Sequence, residues 1–172
     1  TNGPMLSLKV NGRGIGDEIE AQSGDLLRIE AEAGSAVPID HLELIVNGEV
    51  AAVGDADGDG RHGALSSELQ VDGSCWIAVR VRGPEHELVL DPEGAFAHTS
   101  PVYITVAGAP IARRAAAAYF VDWIDRLIAM TEAHARFPSH ADRDAVIAQF
   151  REAQAYYHAN AASGAETGAS DC

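Results

Sequence analysis

Basic residues are scarce in this chain: 12 Lys and Arg stand against 26 Asp and Glu over 172 residues, a formal charge of -14. Nonspecific affinity for phosphate backbones or anionic lipid comes from clustered cations, so the deficit excludes nucleic acid and charged membrane surfaces as partners. The excess of carboxylates is expected to serve solubility. No run of about 18 apolar residues occurs, which excludes a spanning helix. Two cysteines cannot build a disulfide framework. Cys75 falls in an alternating apolar stretch and reads as a small buried hydrophobe, while Cys172 ends a tail of small and polar residues. An initiating Met and a basic apolar leader are also missing from the start TNGPML, so a segment of a longer protein is expected.

Catalytic signatures are lacking as well. Gly12, Gly14 and Gly16 follow an apolar stretch, but a dinucleotide loop needs G-x-G-x-x-G opening a helix, and DEIEAQ continues without helical periodicity. No G-x-S-x-G elbow is present. His98-Thr99-Ser100 are adjacent on an extended segment, so neighbouring side chains point to opposite faces and cannot easily share a proton. Thr99 and Ser100 are expected to manage the passage from loop to strand, with Pro101 keeping Ser100 extended. The seven histidines, at 41, 62, 86, 98, 134, 140 and 158, form no H-x-H, H-E-x-x-H or Cys–His pair at zinc spacing. Surface or structural roles are expected for them.

What the sequence does contain is short alternating segments separated by turn residues. MLSLKV (5–10) reads as a first strand. EIEAQ and DLLRIEAEA read as a hairpin, with Leu27, Ile29, Ala31 and Ala33 on one face and Arg28, Glu30 and Glu32 on the other. LELIV-NG-EVAAV places Asn47-Gly48 where a type I′ turn needs two positive φ values. Asp72-Gly73 is expected to repeat that device between LSSELQV and SCWIAVRVRG, where Cys75, Ile77, Val79 and Val81 alternate with Trp76, Ala78, Arg80 and Arg82. After a Pro-bearing loop, SPVYITV turns Val102, Ile104 and Val106 to one face. Seven or eight short strands at this spacing predict an immunoglobulin-like antiparallel β-sandwich over 1–108, with a small barrel as the architectural alternative.

The character then changes. Pro110 and Ile111 are expected to open a helix with an apolar stripe of Phe120, Trp123, Ile124, Leu127 and Ile128, and Pro138 to end it. Ser139 with Asp142 resembles a capping box for a second helix carrying Val146, Ile147, Phe150, Ala153 and Tyr157. Neither helix is stable alone in water, so a helical hairpin over 109–160 is predicted to pack on itself or on the sandwich, burying Trp123 and Leu127. Residues 161–172 offer nothing to bury and read as a disordered tail. The fold class is therefore mainly β with α, a sandwich followed by a two-helix hairpin.

One stretch has metal-ligand spacing. DADGDG at 55–60 matches the first half of a calcium loop, making Asp55, Asp57 and Asp59 candidate Ca²⁺ ligands, but position 12 is Ser66 rather than a bidentate Glu and no helices flank the loop.

The ordered phrases PIDHLELIVNGEV (38–50), SCWIAVRVRG (74–83), AHTSPVYITVAGAPI (97–111), AAYFVDWIDRLI (117–128) and DRDAVIAQFREAQAYY (142–157) resemble the C-terminal part of bacterial CehA/McbA-type metallohydrolases, proteins with a PHP (polymerase and histidinol phosphatase) domain. The resemblance covers most of 5–158. It implies a module downstream of a metal-dependent hydrolase domain whose metals are held by His, Asp and Glu of that upstream domain. Nothing in this chain matches those ligand phrases, so no catalytic residue and no cofactor carries over. The expected function is a noncatalytic accessory module with the adjacent hydrolase domain of the same chain as partner. The alternatives are an independent sandwich that binds carbohydrate, protein or calcium through its loops, and an enzyme assembled from His62, His86 and His98.

Overall fold

The computed structural model describes residues 1–111 and 114–163. Two units are distinguished along the chain, a β unit spanning Thr1–Ile111 and a helical unit after it.

In the β unit the period-2 segments become strands whose apolar faces meet. β1 (Met5–Val10), β3 (Asp25–Gly34) and β6 (His62–Val71) form a three-stranded antiparallel sheet in the order β1-β3-β6. β2 (Glu18–Ala21), β4 (His41–Val46), β5 (Glu49–Asp55), β7 (Cys75–Arg82) and β9 (Val102–Val106) form the path β2-β9-β7-β4-β5 of a six-stranded sheet, with β8 (Phe96–His98) paired to β7. Leu8, Val10, Leu27 and Ile29 from the smaller sheet and Leu42, Leu44, Ile77, Val79, Val81 and Ile104 from the larger one share a single buried cluster. This is a β-sandwich, with the core between the layers. Cys75 is buried in that core, as its alternation predicts.

The Asn47-Gly48 turn forms as expected, with φ of 52° and 97°, and joins β4 to β5. Two other local pairings do not form. β2 does not pair with β3 but runs parallel to β9, from Glu18↔Tyr103 to Ala21↔Val106. Both edges of β3 are already taken, by β1 over six residues and by β6 over ten, so the four-residue β2 is displaced to the other layer. The Gln22–Asp25 turn makes the crossing: the Gln22 amide donates to the Asp25 carboxylate at 2.8 Å, and Gly24 takes a φ of 92°. Asp72-Gly73 likewise does not close a hairpin, because β6 and β7 lie in different sheets.

In the helical unit, α1 is described over Arg114–His134, and Pro110 and Ile111, expected to open it, are not themselves helical. α2 (His140–Ser163) starts at the expected box: Ser139 Oγ accepts from the Asp142 amide at 3.2 Å and donates to its carboxylate at 2.8 Å. It continues to Ser163, so residues 161–163 of the expected tail are helical, and the remainder of that tail lies outside the described residues. The two helices pack on each other. α1 carries two neighbouring apolar seams at alternating spacings of four and three. Ala117, Val121, Ile124, Ile128 and Thr131 form the inner seam, in which all but the half-buried Ile128 are buried. Ala116, Phe120, Trp123, Leu127 and Met130 form the outer seam, in which only Leu127 is half-buried. Trp123, expected to be buried, is 48% exposed. One helical neighbour covers one seam, and α2 covers the inner one.

Candidate functional site

The outer face of the larger sheet holds an open groove of about 700 Å³. Strand alternation supplies its floor. With Cys75, Ile77, Val79 and Val81 turned into the core, Trp76, Ala78 and Arg80 of β7 face outward, and with Val102 and Ile104 inward, Tyr103 of β9 does the same. Trp76 stands directly opposite Tyr103 in the β7–β9 register, and Ile45, Phe96 and His98 close the sides.

The groove exists because the chain leaves the ladder between β8 and β9. Thr99 amide donates to the Val79 carbonyl at 2.9 Å, and the Val79 amide donates to Thr99 Oγ1 at 3.1 Å. The hydroxyl thus occupies the place of the main-chain carbonyl that a continuing strand would present. The backbone is released at Ser100-Pro101, and pairing with β7 resumes only at Val102↔Ile77. Thr99 is buried, so this substitution keeps a buried amide satisfied.

The polar groups around the groove are largely engaged. His98 Nδ1 lies 3.1 Å from the Thr99 carbonyl, which can only accept, so the proton sits on Nδ1. Its ring is 5.7 Å from that of Phe96, and the Arg82 guanidinium lies 5.4 Å from the centre of the Phe96 ring. Arg80 Nε donates to Glu43, whose other oxygen is 3.5 Å from His41 Nε2. The Arg80 hydrogen bond holds the Glu43 carboxyl below its ordinary range against the opposing effect of burial, with the Arg80 charge and His41 adding to it. Among the described residues, no carboxylate or thiol lines the groove. Its chemistry is that of a surface that receives apolar or aromatic groups.

The loop between β5 and β6 is the second candidate. It brings Asp57 and Asp59 together with His62, their ligand atoms all within 4.8 Å of one another, and every one of the three is exposed. Asp55 is not in that group: it ends β5, opposite His41 in the β4–β5 register. Asp57 Oδ1 accepts from the amides of Arg61 and His62, each at 3.3 Å, and Asp59 Oδ1 accepts from Arg61 at 2.9 Å. The Asp57 carboxyl is held below its ordinary range, first by its interaction with Asp59 against the opposing effect of desolvation, and then by the amides of His62 and Arg61 and the nearby His62. Two carboxylates and an imidazole are a donor set suited to a borderline metal, whereas calcium takes six to eight oxygens. The carboxylates already have backbone donors that fix the turn.

No family model matches the chain, and no curated protein sequence matches it. Among solved structures it is similar to the fibronectin(III)-like modules of Clostridium thermocellum CbhA, with 16% identity and a TM-score of 0.39 over 66% of this chain and 52% of that one. It is also similar to a CARDB domain from Pyrococcus furiosus, with 16% identity and a TM-score of 0.38 over 61% of this chain and 98% of that one. This chain thus spans about half the length of the first of these.

The three histidines considered as an enzyme site lie in different surroundings. His62 sits in the β5–β6 loop, His98 lines the groove, and His86 accepts the Leu88 amide at 3.2 Å in the segment between β7 and β8. Among the described residues, the one group of three potential metal ligands contains only the first of them. The groove itself was missed by motif reasoning. Its signal in the sequence is a Trp and a Tyr on the outward positions of two strands whose inward positions are wholly apolar. The role of Thr99 had a trace too, in the Thr-Ser-Pro that interrupts the alternation.

Proposed function

We propose that this β-sandwich module is a noncatalytic accessory unit that packs through the Trp76–Tyr103 groove against an adjacent domain of the same protein and helps to shape it. The sequence resemblance names that neighbour as a PHP-type metal-dependent hydrolase domain. The observation that carries the proposal is the groove: an apolar, aromatic floor without a carboxylate or thiol suits contact with another protein surface better than acid–base or nucleophilic chemistry. The test begins with the reading frame around Thr1, where a PHP-type domain is expected upstream. In the two-domain protein, Trp76→Ala with Tyr103→Ala should lower the melting temperature of the hydrolase domain while leaving the fold of the isolated sandwich intact. A frame without such a domain, or metal-dependent hydrolysis of phosphoesters or amides by the 172-residue chain itself, refutes the proposal.

A second reading, an independent carbohydrate-binding module, is favoured by the Trp76–Tyr103 pair. Adjacent aromatic faces flanked by Arg80, His98 and Ser100 provide a platform for the C–H face of a sugar ring with polar groups at its margin. Calorimetry with a panel of oligosaccharides, on the native chain and on Trp76→Ala, separates the two. Saturable heat lost in the variant supports the second reading, and no heat across the panel removes it.

A further inference from the structure

The outer seam of α1 is not explained by an accessory role for the sandwich. We propose that it is a self-association surface through which the helical hairpins of two copies of this chain join into a four-helix bundle. Three observations point to a second copy.

The first is the pattern. The outer seam repeats the four–three spacing of the inner seam, which is already packed on a helix, so the side chains are set out for another helix. The seam is also pre-ordered: Trp123 stacks on Tyr119 with ring centres 6.1 Å apart, and Phe120 stacks on Tyr157 of α2 at 4.9 Å. Aromatic rings held by their neighbours lose little further freedom when a partner covers them.

The second is charge. Residues 1–111 carry six basic against 18 acidic side chains, whereas residues 114–163 carry five against six. An isologous contact sets the same surface of both copies face to face, so the strongly acidic β unit would repel its twin. The hairpin is the near-neutral part of the molecule and meets its copy without that repulsion.

The third is area. Tyr119, Phe120, Trp123 and Met130 are between 43% and 58% exposed. At roughly 200 Å² for a large side chain, they offer on the order of 400 Å² per copy, and about 1,000 Å² for two copies once flanking small residues are included. That reaches the lower bound of roughly 1,000 Å² expected of a specific interface.

The experiment is sedimentation equilibrium of the full 172-residue chain across the micromolar range. The expected mass is twice the 18.1 kDa of one chain. Trp123→Glu, at an exposed position, is expected to return the mass to that of one chain with unchanged helical circular dichroism. Leu88→Glu, at an exposed apolar site of the β unit, is expected to leave the dimer intact. Should Trp123→Glu lose helicity, Met130→Glu at the far end of the seam serves in its place and is expected to weaken the dimer at least tenfold. A native chain that stays at one mass up to about 100 µM, as it would if its own β unit or another protein covered the seam, overturns the proposal. So does a dimer that survives both substitutions while folded.

Discussion

Replacing Thr99 by Val tests the account of the groove most directly, because the two side chains share a shape and differ by a hydroxyl. In the native chain that hydroxyl accepts the Val79 amide at 3.1 Å inside a buried stretch of β7. Val offers a methyl group in its place. The Val79 amide is then left in the interior without an acceptor, which costs about 1–3 kcal/mol, more than the roughly 1 kcal/mol net worth of an average hydrogen bond. The extra methyl returns a little apolar burial, so the lower half of that range is expected. Thr99→Ser keeps the acceptor and loses only a methyl group, worth about 0.8 kcal/mol. For a domain of this size the Val substitution corresponds to a fall of about 4–10 °C in melting temperature. The assay is urea and thermal unfolding followed by Trp76 fluorescence in a Trp123→Phe background, so that only the β unit is reported. Thr99→Val should be the less stable of the two variants. Native-like stability in Thr99→Val, or a larger loss in Thr99→Ser, would refute the claim that the hydroxyl completes the ladder.

The remaining predictions concern close packing, pH and metal. A Cβ at Gly83 would lie 2.3 Å from the Pro38 carbonyl oxygen and 3.3 Å from Ala95 Cβ, so Gly83→Ala should destabilise the β unit by about 2–3 kcal/mol through overpacking, read as a lower urea midpoint at unchanged slope. Because Arg80 keeps the Glu43 carboxyl below its ordinary range, the pair's contribution is complete above the unfolded-state value near pH ~4.3 and is lost as pH falls through the lower folded-state value. Between about pH 5 and 3 the native chain should therefore lose more stability than Glu43→Gln, and equal losses would dismiss the pair. At the β5–β6 loop, millimolar Ca²⁺ is expected to give no more heat with the native chain than with Asp57→Ala, since Asp57 and Asp59 each already accept backbone amides through Oδ1 and the loop lacks the six to eight oxygens calcium takes. A saturable heat abolished by Asp57→Ala would reinstate the calcium site.

The sequence by itself determined the elements and their faces. Alternation in DLLRIEAEA and SCWIAVRVRG identified Leu27, Ile29, Cys75, Ile77, Val79 and Val81 as inward-facing, because in a strand successive side chains point to opposite sides whatever the strand pairs with. Asn47-Gly48 and Ser139–Asp142 likewise specified a turn and a helix start through contacts only a few residues long. Which strand lies beside which is a different matter, decided by competition among edges far apart in sequence. Hence β2 pairs with β9 rather than β3, and Asp72-Gly73 joins two layers rather than two neighbours. The candidate sites depend on the same long-range choices. Trp76 meets Tyr103 only because β7 adjoins β9, and Asp57 finds His62 instead of Asp55 because the loop folds back on itself. On α1, periodicity located the apolar residues, but with two equivalent seams on one helix only packing against α2 could decide that Ile124 would be buried and Trp123 left exposed.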